Sequence, residues 1–250
     1  MELTEYRNSQ AEKARTSDLL RLIPASAWHG LDVGARDGFF SLLLADRMSN
    51  VTALDLTPPR IAHPRVKCLQ GNAALLPFAD RSFDFVFCAE VLEHIPEPYL
   101  TPACSELQRV ASKEILIGVP NEQDIRVSRT TCGKCGRPNP PWGHVNVFDL
   151  ARLKRLFQDC DVKEVSLVGE RTEATNAVST ALMDFAGNPY GTYDQDELCI
   201  HCGKAIGAPQ QRNIVQLGAT KLSFWLRRVP EMRVRKRGNW IHVLFKKHDA

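Results

Sequence analysis

The chain has 250 residues, of which 44% are apolar and 24% charged, and a net charge of +3. These values are ordinary for a soluble globular protein and suffice for one large core, or one core with an insertion. No run of 18 apolar residues occurs, so no transmembrane helix is predicted, and the polar start MELTEYRNSQAEKART lacks an apolar signal-peptide core, so the expected location is cytoplasmic.

In chain order, residues 10–23 read as an amphipathic helix running up to Pro24. GLDVGA is a short buried strand, and DGFFSLLLADRM a helix that starts at a glycine loop. VTALDL, RVKCLQGN and FDFVFCAE follow as three more strands, and PYLTPACSELQRVA repeats apolar residues at helical spacing. EILIGVP is a fifth strand closed by Pro120, VFDLARLKRLFQDC a helix, VKEVSLVG a sixth strand and NWIHVLFKK the last. Strands alternating with helices predict an α/β fold: a Rossmann-like, seven-stranded, mostly parallel sheet with helices on both faces. The interval from about 170 to 238 breaks that rhythm. Residues 1–170 and 239–250 are therefore assigned to one domain. Residues 171–238 are read as an insertion between the last two strands that forms, with loop 121–147, a small cysteine-rich lid.

The first strand stops in the loop Asp32-x-Gly34-x-x-x-Gly38. Glycines between a strand and a helix let backbone N–H groups approach a ligand, and Asp32 can accept from a cationic amino group. Asp55 ends the next strand 21 residues after Gly34, where a carboxylate can hold both hydroxyls of a ribose. A dinucleotide oxidoreductase would more usually show Gly-x-Gly-x-x-Gly, and this loop has Arg36 where a middle glycine could sit.

With these residues the sequence resembles the class I S-adenosylmethionine-dependent methyltransferases. LDVGARDGFF, LDL, GNAALLPFADRSFDFVFCAEVLEHI and ELQRV…EILIGVPN follow that family's motifs in order, over residues 25–170 and the closing strand 239–247. The resemblance implies that Asp32, Gly34 and Gly38 surround the methionine part of the cofactor and that Asp55 holds its ribose. The adenine-binding acid of the family falls on Asn72, whose carbonyl can still accept a hydrogen bond, with Ala73 and Leu75 near the purine. Glu90 belongs to the same cofactor set.

AEVLEH contributes Glu90, Glu93 and His94, and PPWGHVNVFDL contributes His144. If AEVLEH is a helical turn, Glu90 and Glu93 share a face. Glu-x-x-Glu-His with a later His is similar to the pattern of metal-dependent O-methyltransferases of the ubiquinone pathway and of small-RNA 2′-O-methylation. There a divalent ion held by the counterparts of Glu90, Glu93, His94 and His144 would lower the acceptor's pKa. In a metal-free version His144 or His94 is the general base, and Glu93 is grouped with them as a catalytic candidate. Either version favours an oxygen acceptor.

Cys-x-x-Cys-Gly occurs twice, at Cys132/Cys135 and Cys199/Cys202, with 63 residues between the pairs. Such spacing lets both sulfurs of a pair bind one ion, and four thiolates favour a structural, closed Zn2+ site. Cys68, Cys88, Cys104 and Cys160 stand singly in apolar patterns and read as small core residues. The cysteine, Trp-Gly-His and Phe pattern is also similar to methyltransferases of bacterial sugar, surface-polysaccharide and natural-product gene sets.

Residues 221–250 hold nine Lys/Arg against two Asp/Glu, a local +7 that leaves −4 for the rest. The ordinary reading of this end is a helix packing its apolar stripe on the sheet and exposing Arg. Single-stranded nucleic acid, a membrane surface and a phosphate-bearing acceptor are the alternatives. The sequence thus predicts an S-adenosylmethionine-dependent O-methyltransferase for a small hydroxylated acceptor, a glycan or a natural product. The rival readings are an RNA methyltransferase and a non-catalytic cofactor-binding module. Oligomeric state leaves no mark in the sequence.

Overall fold

The structure, a computed structural model, describes residues 7–25, 27–170, 173–233 and 238–248, with side chains omitted at 229–233. The polar residues 1–6 and the basic residues Arg235, Lys236 and Arg237 lie outside the described residues, as do the side chains of Val229 and Arg233.

The chain divides into two compact units. The first holds Ser9–Asn121, Phe148–Gly169 and the residues from Gly238 onward; the second holds chiefly Glu122–Val147 and Glu170–Arg237. In the first unit α1 (Gln10–Leu22) starts at Ser9, whose hydroxyl accepts from Glu12 N at 3.2 Å. The strands of this unit are β1 (His29–Val33), β2 (Asn50–Asp55), β3 (Val66–Gln70), β4 (Phe83–Ala89), β5 (Ala111–Pro120), β8 (Cys160–Val168) and β9 (Trp240–Lys247). They form one seven-stranded sheet in the order β3-β2-β1-β4-β5-β9-β8. β1 pairs parallel with β2 and β4, β3 with β2, and β5 with β4, while β9 runs antiparallel between β5 and β8. The expected mostly parallel α/β sheet is present.

Side chains alternate across each strand, so every central strand feeds two apolar layers. Leu31, Val86, Cys88, Ile115, Ile117 and Val243 belong to one core, which also takes in Leu100, Cys104 and Leu107 of α3 (Glu97–Val110) and Leu153 of α4 (Leu150–Leu156). Phe85, Phe87, Leu116 and Leu244 belong to the other, with Leu19 and Leu22 of α1 and Leu44 of α2 (Phe39–Ala45). Helix α4 is shorter than the sequence suggests. Asp149 caps it by accepting from Arg152 N at 2.6 Å, and Phe157 leaves helical angles at its far end. Cys88, Cys104 and Cys160 are buried as expected, whereas Cys68 is only half-buried.

The second unit carries the short ladder of β6 (Thr130–Thr131) with β7 (Pro138–Asn139), and two helices, α5 (Ala177–Phe185) and α6 (Ile214–Arg233). These helices pack on each other. The Asn176 amide donates to Leu226 O, the Ser179 hydroxyl lies 2.9 Å from that of Ser223, and the Gln216 amide donates to Phe185 O, so the two run antiparallel. The start of the basic segment, through Arg233, is thus helical as read, but the partner of α6 within its own unit is α5. Among the described residues no helix is long and apolar enough to cross a membrane.

Candidate functional site

The loop from β1 to α2 is built on positive φ angles: Gly34 at +80°, Arg36 at +47° and Gly38 at +84°. Any Cβ at Gly34 would lie 2.2 Å from Val91 Cγ2, and one at Gly38 2.3 Å from Ile61 Cγ1, so neither position accepts a side chain. The end of β2 holds this loop from one side. Leu54 O accepts from Gly34 N at 2.8 Å and from Ala35 N at 3.1 Å, and Asp55 Oδ2 accepts from Arg36 N at 2.9 Å. Asp55 Oδ1 takes Thr57 N at 3.1 Å. Each carboxylate oxygen has a second lone-pair direction for another donor.

Asp32 is 2% exposed, and Ser41 of α2 donates to its Oδ2 at 2.5 Å. Burial, helped by the negative charges of Asp55 and Asp37, outweighs that hydrogen bond and pushes its carboxyl up to about 7. Asn72 is exposed and its Oδ1 accepts from Ala74 N at 2.9 Å, a turn that keeps Ala73 buried beside it and leaves Leu75 open.

Glu90, Glu93 and His94 are not one helical turn. Strand β4 runs to Ala89, Glu90 takes a φ of +56°, and only Leu92–His94 closes a 3-10 turn. A left-handed non-glycine residue costs about 1–3 kcal/mol, a strain that clusters at ligand sites. It turns the Glu90 carboxylate toward Trp240, whose Nε1 donates to Oε2 at 3.3 Å, with Arg15 Nη1 3.8 Å from Oε1. Glu93 is fully buried, and neither carboxyl oxygen has a hydrogen-bond partner among the described residues. Burial, reinforced by the charge of Glu90, drives its carboxyl well above the usual range. Burial and then the charge of Arg36 push the neighbouring His94 down to about 4. The ligand atoms of Glu93 and His94 lie within 4.8 Å of each other.

His144 belongs to the second unit. It follows the Pro141–Gly143 3-10 turn, is 6% exposed, and sets Nδ1 2.6 Å from Gln123 Oε1. In the same unit the four paired cysteines converge, all four sulfurs within 4.8 Å of one another. Cys132 Sγ is 3.8 Å from Cys202 Sγ, and Cys135 Sγ 3.6 Å from Cys199 Sγ. A tetrahedral ion with sulfur bonds of about 2.3 Å spaces its sulfurs about 3.8 Å apart, so the cradle fits Zn2+. The two halves repeat one turn: Gly136 N donates to Cys132 O and Gly203 N to Cys199 O, both at 2.8 Å, with φ of +70° and +65° at the glycines. Backbone N–H groups of Cys135 and Lys134 pull the Cys132 thiol down. Against the opposing effect of burial, the N–H groups of His201 and Cys202 and the neighbouring thiols take Cys199 down to about 6. His201 points away from the sulfurs to Pro138 O at 3.0 Å.

Sequence reasoning missed Ser41, Arg15, Trp240 and Gln123. Ser41 alone had a local signal, one helical turn after Gly38 on the side facing the sheet.

Residues 31–115 match the family model described as "Methyltransferase domain". Among curated proteins, the Xylella fastidiosa "Ubiquinone biosynthesis O-methyltransferase" is 33% identical over 104 residues, covering 37% of this chain and 42% of that protein. A Mycobacterium tuberculosis "Probable S-adenosylmethionine-dependent methyltransferase" is 28% identical over 156 residues, covering 60% and 54%. The chain thus spans about half the length of these relatives. Among solved structures, the Bradyrhizobium japonicum N-methyltransferase NodS in complex with S-adenosyl-L-homocysteine superposes with a TM-score of 0.55 at 14% identity, over 98% of this chain and 91% of that one. The [4+2]-cyclase SpnF superposes with a TM-score of 0.55 at 15% identity, over 96% and 83%. Likeness at these identities shows the fold; the cyclase illustrates that the fold alone does not fix the reaction.

The Asp32 carboxyl, raised in the folded chain, holds its proton where an unfolded chain has lost it. Its contribution to stability therefore falls as pH rises from about 4 to about 7. In thermal melts of the cofactor-free protein, Asp32→Asn is expected to remove that fall, so the variant gains on the wild type between pH 5 and pH 8. A constant difference across that range contradicts the assignment.

Proposed function

We propose that this chain carries a class I S-adenosylmethionine-dependent methyltransferase domain and that it transfers a methyl group from that cofactor to a hydroxyl of a small acceptor, a glycan or natural product. The observation that carries the reading is the β1–α2 loop, with its two left-handed glycines, buried Asp32 and Asp55 at the adjacent strand end. S-adenosylmethionine, when bound, supplies a methyl on a sulfonium, whose in-line displacement needs alignment and a dry site more than covalent help.

In this proposal the left-handed turns at Gly34 and Gly38 present the loop backbone to the methionine part, and Asp32 accepts from its amino group. An ammonium there favours the ionised carboxylate and repays the burial that holds Asp32 near neutral. Asp55 orients the ribose hydroxyls, Asn72 and Ala73 flank the adenine, and Glu90 closes the far wall. The acceptor proton goes to an imidazole. His94, neutral above about pH 4, can accept it, and His144, oriented by Gln123, is the other candidate. The O-methyltransferase relative supports an oxygen acceptor.

Glu93 supports a further part of the proposal. Its two unpartnered buried oxygens beside His94 suit a divalent ion better than a plain packing role. Glu90, Glu93 and His94 are the proposed donors, and such an ion would lower the pKa of the acceptor hydroxyl. The four cysteines are proposed to hold one structural Zn2+ that fixes the fold of the second unit; four thiolates leave no open position for water, so no catalysis is assigned to it.

Radiolabelled methyl transfer to a panel of hydroxylated glycans and phenols tests the reading. Turnover is expected with the wild type and a loss of at least 10-fold in Asp55→Ala, mostly through cofactor affinity. Product labelled on nitrogen or carbon would overturn the oxygen assignment. Metal analysis of purified protein is expected to find one zinc per chain, lost in Cys199→Ser together with thermal stability. Full zinc in that variant defeats the four-thiolate site.

A further inference from the structure

Helices α5 and α6 are folded inside out. Their shared seam is polar: Ser179 Oγ donates to Ser223 O and Ser223 Oγ to Ser179 O, with the two hydroxyl oxygens 2.9 Å apart, and Thr220 is buried. Most of the large apolar residues lie outside, while Leu182, Met183 and Leu226 are half-buried. On α6, Ile214 is 84% exposed, Trp225 63% and Leu222 48%; on α5, Val178 is 61% and Phe185 57% exposed. A helix in water hides its apolar stripe and shows its hydroxyls, so this pair lacks the medium its outer surface suits.

Charge identifies that medium. Lys221 and Arg228 stand exposed on α6 among Leu222 and Trp225. Over residues 221–237 the sequence has seven Lys/Arg against one Glu, in a chain whose first 220 residues sum to −4. A second copy of this chain would have to bring like charge against like charge at that face. An RNA strand would meet the cations but would leave Ile214, Val178 and Phe185 uncovered. An anionic bilayer answers both features: acyl chains take the Trp, Leu and Ile side chains at the headgroup boundary, and the lipid phosphates take the cations. At 20 residues α6 would run about 30 Å along such a surface.

We infer that the exposed faces of α5 and α6 form a peripheral docking surface for anionic lipid membranes, the helices lying in the interface plane and not crossing it. Docking would bring the protein to acceptors or partners displayed on that surface.

Co-sedimentation of the full chain with vesicles tests this. Vesicles of phosphatidylcholine with about one third phosphatidylglycerol are expected to pull the protein down, pure phosphatidylcholine at least 10-fold less, and added salt is expected to release it. The double variant Leu222→Ser, Trp225→Ser should lose at least 10-fold in vesicle affinity while keeping the wild-type circular dichroism and melting temperature, since both side chains are exposed. Lys221→Ala, Arg228→Ala should lose binding to anionic vesicles with the same folding controls. Failure to sediment at millimolar lipid overturns the proposal. So does a dimer in analytical ultracentrifugation that the Leu222→Ser, Trp225→Ser variant abolishes, or single-stranded RNA binding that depends on the same residues while vesicles are ignored. Methyl transfer enters none of these readouts, so a failed docking test leaves the enzymatic reading untouched, and the reverse.

Discussion

The end of β2 grips the loop that follows β1, and the candidate site depends on that grip. Leu54 O receives the N–H groups of Gly34 and Ala35, and the Asp55 carboxylate receives that of Arg36. Three backbone donors are thereby committed to one neighbouring strand, which locks a loop whose φ angles would otherwise be unfavourable at Arg36. The same carboxylate that shapes the loop faces the ribose position proposed for the cofactor. Under the proposed function, shape and recognition share this one residue.

Burial then sets the chemistry of the acids around that loop. Asp32, Glu93 and Asp55 are all carboxylates at strand ends or the turn after one, yet they differ in kind. Asp55 is partly open and takes two backbone N–H groups. Asp32 is enclosed with one hydroxyl donor and sits near neutral. Glu93 is enclosed with no partner among the described residues. Under the proposed function these two hidden carboxyls ionise when a cation arrives, an ammonium at Asp32 and a metal ion at Glu93.

Most of the sheet was legible because the centres of β1, β4 and β5 are buried on both faces and rich in apolar residues, with Gly34, Glu90 and Pro120 marking their ends. The glycine loop and Asp55 were legible for the same reason: their spacing is local. The AEVLEH segment was not. Its i, i+3 acids imitate a helix, but β4 continues through Ala89 and a left-handed Glu90 postpones the turn to Leu92. Trp240 reaches Glu90 across 150 positions, a separation that no local pattern encodes. The cysteine knuckles were readable singly from Cys-x-x-Cys-Gly, whereas the approach of one pair to the other is a tertiary fact. Helix α6 shows the limit from the opposite direction. Its composition announced cations and aromatics, but which face it hides is decided by Ser179 and Ser223 on two different helices.

Calorimetric titration of S-adenosyl-L-homocysteine into the folded protein tests the central claim most directly, with Asp55→Ala measured beside it. Saturable binding at one ligand per chain, weakened at least 10-fold by the substitution, is the predicted result. No binding heat from a protein that melts cooperatively, or equal affinity in the variant, would contradict the account.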